Sequence, residues 1–320
     1  MAARKLTFLK QYSIVCQTSL CYDLFGICRE ITLTRKGKPM AIRLIIDSAA
    51  DILPEEAKAL GMIHLPLTIR FGEEEFEDSV TLTHAQFFEK LVSSRDLPAT
   101  AQVTPAAFEA AYRNAVEAGD TAVVITISAK LSGTWQSAMI ALDGYEGKVF
   151  VVDSENATVG ERILILRALQ LREQGLSAEE IAKQLNAEKG SIRLYALLDT
   201  LEFLKRGGRI SATTAAIGGI LSIKPIVTIA DGVVSMAGKA RGRKNGNQLL
   251  SDMVAQHTID EQRPYALAYS GLDDTIISKY LQESAAIWPN EGKDISYSTV
   301  GCTIGTHVGP GAVIVAYFEK

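Results

Sequence analysis

The side chains best able to do chemistry lie in three short segments. Ile304-Gly305-Thr306-His307-Val308-Gly309-Pro310-Gly311-Ala312 places a histidine in what reads as a rigid glycine-proline loop between two strand-like runs. Thr100-Ala101-Gln102-Val103-Thr104-Pro105 and Leu131-Ser132-Gly133-Thr134-Trp135-Gln136-Ser137-Ala138 each lead into a helix, where backbone N–H groups and hydroxyls favour carboxylate or phosphate. Together the hydroxyls and the imidazole offer a pocket for a small anion. The same residue types also permit nucleophilic catalysis, with Ser132 or Ser137 as nucleophile, His307 as base and Asp47 or Asp153 as orienter. Against it, the Ser132 loop lacks the paired glycines of a nucleophile elbow. Asp47-Ser48 and Asp153-Ser154 at strand ends also read as ordinary caps and turns. Two basic segments add candidate anion contacts. Arg209 follows Gly207-Gly208, and Arg241 stands in Gly238-Lys239-Ala240-Arg241-Gly242-Arg243-Lys244.

Other chemistries find no support. No Walker loop or dinucleotide glycine fingerprint follows the first strand, which continues as Ser48-Ala49-Ala50-Asp51. The four histidines are scattered without i, i+4 partners, so no metal site is expected. A net charge of -4 argues against sequence-independent nucleic-acid binding. No run approaches the roughly 20 apolar residues of a spanning helix. Cys16, Cys21 and Cys28 precede the main fold and only Cys302 lies within it, which fits a reducing cytosol.

These segments need a scaffold. At 320 residues, 47% hydrophobic and 22% charged, the chain suits two globular domains. Residues 1–39 are expected to be an extension outside the fold, with Met40 as the working start. From Ile42 an alternation of strand and helix predicts an α/β domain over residues 40–190 with an open, mostly parallel sheet. Its strands run 42–46, 121–127 and 148–152, and the loops after Ile46, Ile127 and Val152 converge on one crevice. Thr83 and Ser177 have capping-box spacing to Gln86 and Glu180. From Ser191 the rhythm changes. Asp231-Gly232 between apolar runs signals a hairpin, and residues 191–320 read as an α+β domain with a mixed or antiparallel sheet.

The motif set resembles the DegV family of bacterial fatty-acid-binding proteins from about residue 42 to the C-terminus. The resemblance rests on Asp47-Ser48, the Thr100 loop, Leu131-Ser132-Gly133-Thr134-x-Gln136-Ser137-Ala138, Asp153-Ser154, Leu201-Glu202-Phe203-Leu204-x-x-Gly207-Gly208-Arg209-Ile210, Lys224-Pro225, Gly238-Lys239-x-Arg241 and Gly305-x-His307-x-Gly309-Pro310-Gly311. It implies a long-chain fatty acid held between two domains, with no other cofactor. Thr100 and Ser132 would contact its carboxylate, and His307 would join that network. Arg209 and Arg241 would flank the carboxylate opening, where a separate ATP-dependent fatty acid kinase docks and makes acyl phosphate for phospholipid synthesis. The protein would then be a cytoplasmic presenter of substrate and not itself an enzyme. A Ser132/His307 hydrolase or acyltransferase and a lipid-sensing regulator are the alternatives. Two departures stand out. The family's Thr-Ser-Gln-Pro-Ser loop is Thr100-Ala101-Gln102-Val103-Thr104 here, and Arg162 replaces an expected small residue. Ala215 to Leu221 are candidates for a tunnel wall.

Overall fold

Strand β1 (Ile42–Asp47) has no polar side chain between Leu44 and Ile46, because it is covered on both faces. It lies at the centre of a parallel sheet with β2 (Met62–Leu65) on one side and β6 (Thr121–Thr126), then β7 (Val149–Asp153), on the other. The computed structural model describes residues 41–94, 97–210, 222–293 and 295–320. The expectations for residues 1–39 and for Ala215 to Leu221 fall outside these.

A second, antiparallel sheet inserts into the first half of the chain: β3 (Thr68–Phe71) pairs with β4 (Glu74–Glu77) and β5 (Ala99–Ala101). Its strands are only three or four residues long, and β4 is glutamate-rich, so no alternating apolar pattern marks them in the sequence. The helices α1 (Pro54–Ala59), α2 (His84–Ser93), α3 (Pro105–Glu117), α4 (Thr134–Ile140), α5 (Thr158–Glu173) and α6 (Ala178–Glu188) complete this half. The capping boxes at Thr83 and Ser177 are both formed.

The rest of the chain builds a six-stranded mixed sheet in the order β10-β9-β8-β13-β11-β12. Its strands are β8 (Ile192–Leu197), β9 (Ile223–Ala230), β10 (Val233–Arg241), β11 (Tyr265–Tyr269), β12 (Tyr297–Thr299) and β13 (Val313–Phe318). All its pairings are antiparallel except β11 with β12. Asp231 and Gly232 both take positive φ, 49° and 75°, as a tight two-residue hairpin requires. The short α7 (Glu202–Arg206) follows β8, while α8 (Arg243–Ala255) and α9 (Thr275–Ser284) follow β10 and β11.

The period-2 alternation of the mixed sheet divides two cores. Leu194, Ala196, Ile314 and Phe318 join the core of the parallel sheet, across which α5 packs. Leu197, Leu267, Val315 and Tyr317 face the other way, with Leu250 and Val254 of α8 and Tyr280 of α9. One face of this sheet is thus available to line a site with the ends of the parallel strands.

The first part of the loop expected over residues 304–312 belongs instead to a helix, α10 (Cys302–Val308). With Gly305 inside and threonines at 303 and 306, local propensity opposes a helix there. Tertiary contacts overrule it. A Cβ at position 305 would lie 2.6 Å from the Phe87 ring, so only glycine lets α10 approach α2 this closely. Gly309, at φ 69°, then turns the chain toward β13.

Candidate functional site

A cavity of about 270 Å³ opens between the carboxyl ends of the parallel strands and the inner face of the mixed sheet. Leu194 and Ala196 of β8, Val227 and Ile229 of β9 and Ile314 of β13 form one wall, each two residues from the next on its strand where a pair is present. Ile127 and Ala157, beyond β6 and β7, face them. Polar groups are concentrated on four segments: Thr100 on β5, Ser132 before α4, Arg209 after α7 and His307 in the last turn of α10.

These groups are held by one another and by their loops. Thr100 Oγ1 and His307 Nε2 are 3.1 Å apart although 207 residues separate them in the chain. Arg209 donates from Nε to Leu131 O at 3.2 Å and from Nη1 to Gly207 O at 2.6 Å, which fixes its guanidinium against the Ser132 loop. Ser132 Oγ sits 2.9 Å from Thr134 Oγ1 and accepts a bond from Thr134 N at 3.3 Å, so it bonds within its own turn. Gln102 also lines the cavity. Its Nε2 donates to Ser137 Oγ at 2.8 Å, and its amide lies where a Cβ on Gly133 would have to go.

Burial, and to a smaller extent the neighbouring Arg209 guanidinium, push the His307 imidazole down to about 4. Neutral imidazole carries one N–H and one acceptor nitrogen. Nδ1 is buried without a hydrogen-bond partner among the described residues, and a Cβ on Gly207 would lie 2.2 Å from it. An NMR titration of the His307 ring is expected to give a midpoint near 4, not the ordinary 6.5 or so. Because the folded value is depressed, the associated stability is present above pH 6.5 and is lost as pH falls toward and through 4. A midpoint at 6.5 would mean the ring is hydrated and ionises freely.

The position of His307 depends on two carboxylates at the other end of α10. Asp51 Oδ1 accepts from Gly301 N at 2.8 Å, and Asp78 accepts from Cys302 N at 3.1 Å and Thr303 N at 2.9 Å. Asp78 also accepts from Ser48 Oγ, and Asp51 from Thr158 Oγ1 at 2.5 Å. The helix's first amides are thereby satisfied by negative groups placed where its dipole favours them. Burial raises Asp51 to about 7 against the opposing pull of these donors.

Thr100, Ser132 and His307, expected around the ligand's carboxylate, line this cavity, and so does Arg209, which was expected beside its opening. Arg241 does not. It is exposed at the end of β10 and is not among the residues that line the cavity. The Ser-His-Asp arrangement weighed as an alternative is not formed by hydrogen bonds here. Asp47 accepts from Ile127 N at 2.8 Å and Ala49 N at 2.9 Å, and Asp153 accepts from Ala129 N and Glu155 N, so both brace loops. Neither bonds to His307, and Ser132 and His307 each bond elsewhere. Arg162, the unexpected large residue, donates to Asp51 O at 2.9 Å and pairs with Glu56. Gln102, Thr303, Asp51 and Asp78 were missed. Gln102 stood in a quoted motif, whereas Asp78 ends an acidic run, Glu73 to Asp78, with no spacing to distinguish it. Among the described residues, no group of His, Cys, Asp or Glu could hold a metal ion, and no helix is long and apolar enough to cross a membrane.

Residues 41–320 match the model of the DegV family, described as an uncharacterised protein family. A DegV domain-containing protein of Caldanaerobacter subterraneus is 34% identical over 282 residues, covering 87% of this chain and 99% of its own. Among solved structures, a DegV family protein from Thermus thermophilus, described by its fatty acid binding, superposes with a TM-score of 0.77 at 33% identity, over 87% of this chain and 100% of its own. A DegV family protein from Eubacterium eligens, loaded with heptadecanoic acid, superposes with a TM-score of 0.73 at 27% identity, over 88% of this chain and 100% of its own.

Proposed function

The chain belongs to the DegV family, and from that premise we propose that it binds one long-chain fatty acid between its halves, residues 40–190 and 191–320. The observation that carries this reading is a cavity with largely apolar walls whose polar lining includes the hydroxyls of Thr100 and Ser132, the imidazole of His307 and the guanidinium of Arg209. The tail lies along Leu194, Ala196, Val227 and Ile314. The carboxylate lies among Ser132, Thr100, His307 and Arg209, where hydroxyl and guanidinium donors make charge-assisted bonds. Burying about 12 methylenes at ~0.8 kcal/mol each offers about 10 kcal/mol gross, from which association and tail-ordering costs are subtracted. Micromolar or tighter affinity follows.

We further propose that the bound acid is presented to a separate ATP-dependent fatty acid kinase, which phosphorylates the carboxylate. Arg241, exposed and outside the cavity, is then a residue for docking the kinase. Arg209, which lines the cavity, contributes to the ligand's charge balance.

Replacing Ser132 with alanine tests the carboxylate contact. A hydrogen bond to a charged group is worth about 1.5–3 kcal/mol, so affinity for palmitic acid should fall roughly 10- to 100-fold. Palmityl alcohol should respond much less, and Thr100→Ala should act in the same direction. If Ser132→Ala binds palmitic acid as tightly as the parent, while the parent alone hydrolyses a palmitoyl ester, Ser132 is a nucleophile and the carrier reading fails.

A further inference from the structure

Thr303 lines the same cavity, is only 2% exposed, and its Oγ1 has no hydrogen-bond partner among the described residues, although its backbone N–H is taken by Asp78. It precedes His307 by four residues on α10. The two side chains therefore share a helix face, separated by about 6 Å of axial rise. His307 stands with Thr100 among the polar groups. Thr303 accordingly stands beside the first carbons of a bound acyl chain, not beside its carboxylate. Leu67, Ala157 and Ile304, which also line the cavity, are apolar. Thr158, the other hydroxyl nearby, is already committed to Asp51.

A buried hydroxyl without a partner is unfavourable, and an unsubstituted chain leaves this one unsatisfied. A ligand with a hydroxyl of its own at that depth satisfies it, since each hydroxyl both donates and accepts. Resting on the fatty-acid reading above, we propose that this cavity accepts fatty acids hydroxylated close to the carboxylate, β-hydroxy acids in particular, with Thr303 Oγ1 as the partner of the added hydroxyl. Elsewhere along the tail the walls are aliphatic, and a hydroxyl placed there loses its hydrogen bonds to water with nothing in return.

The test is a titration of palmitic acid, β-hydroxypalmitic acid and a mid-chain hydroxypalmitic acid into the parent, Thr303→Val and Thr303→Ser. Valine keeps the shape and removes the hydroxyl; serine keeps the hydroxyl. In the parent, β-hydroxypalmitic acid should bind within about threefold of palmitic acid, and the mid-chain isomer roughly tenfold or more weaker. Thr303→Val should weaken only the β-hydroxy acid, by roughly tenfold, and Thr303→Ser should retain the parent's pattern. Equal penalties for both hydroxylated acids in the parent, or an undiminished β-hydroxy affinity in folded Thr303→Val, overturn the inference while leaving palmitic acid binding intact. Should the valine variant fold poorly, the parent's ratio between the two isomers decides alone. A parent that binds no palmitic acid at all overturns the fatty-acid reading, and this inference with it.

Discussion

Asp78→Ala should cost the protein about 3–5 kcal/mol of stability, within reach of the whole margin of a marginal fold. The fully buried Asp78 carboxylate accepts from four donors on three separate parts of the chain: Ser48 Oγ, Ser79 Oγ, and the backbone N–H groups of Cys302 and Thr303. Removing it relieves the cost of burying a carboxylate but strands the donors, two of them the first amides of α10. The donors outweigh the relief because each buried, unpaired group costs roughly 1–3 kcal/mol. Water entering the space would bring the loss toward the lower end. Asp78→Asn, which keeps one acceptor oxygen, should lose about half as much. Urea unfolding measures the difference, and palmitic acid affinity should fall in parallel because α10 carries His307. A stability loss under about 1 kcal/mol, the size of an average substitution, would show that α10 is held by its other contacts.

The second large effect concerns the tail. Ala196 is 3% exposed on β8 and forms part of the aliphatic wall. A phenylalanine there projects into the cavity in place of acyl chain. Displacing about four methylenes at ~0.8 kcal/mol each forfeits about 3 kcal/mol, a loss of roughly 200-fold for palmitic acid. Octanoic acid, short enough to stay beside the polar groups, should be affected far less. Because the new ring fills existing space, the destabilisation should stay within the 1–3 kcal/mol or so typical of overpacking. Unchanged palmitic acid affinity in a folded Ala196→Phe protein would place the tail elsewhere.

Much of the scaffold was legible because its signals are local. The apolar run of β1, the capping boxes at Thr83 and Ser177, the Thr104-Pro105 helix start and the Asp231-Gly232 turn are each specified by a few adjacent residues. What escaped is specified by distant ones. Helix α10 exists against its own composition because Asp51 and Asp78, more than 220 residues away, take its first amides, and because Gly305 fits against Phe87. The small β3-β4-β5 sheet escaped because strands this short carry too few residues for a period to register.

The site divides in the same way. Ser132, Arg209 and His307 stood out by residue type beside or near glycines, and Thr100 by its place in a threonine-proline loop that leads into a helix. Type alone did not reveal that Thr100 pairs with His307, or that Arg209 leans on the Ser132 loop while Arg241 is exposed and outside the cavity lining. Nor did it reveal the environment of His307. Burial beside Arg209 keeps the ring neutral down to about pH 4, and burial is a property of the fold.

The central claim is that one fatty acid molecule occupies the cavity lined by Ala196 and His307. Native mass spectrometry of the purified protein, before and after delipidation and with palmitic acid added back, tests it most directly. The predicted spectrum has a single adduct with the mass of one long-chain fatty acid, removed by delipidation, restored at a stoichiometry of one by palmitic acid, and not restored in Ala196→Phe. A parent spectrum without any adduct, even with palmitic acid in excess, would contradict the account.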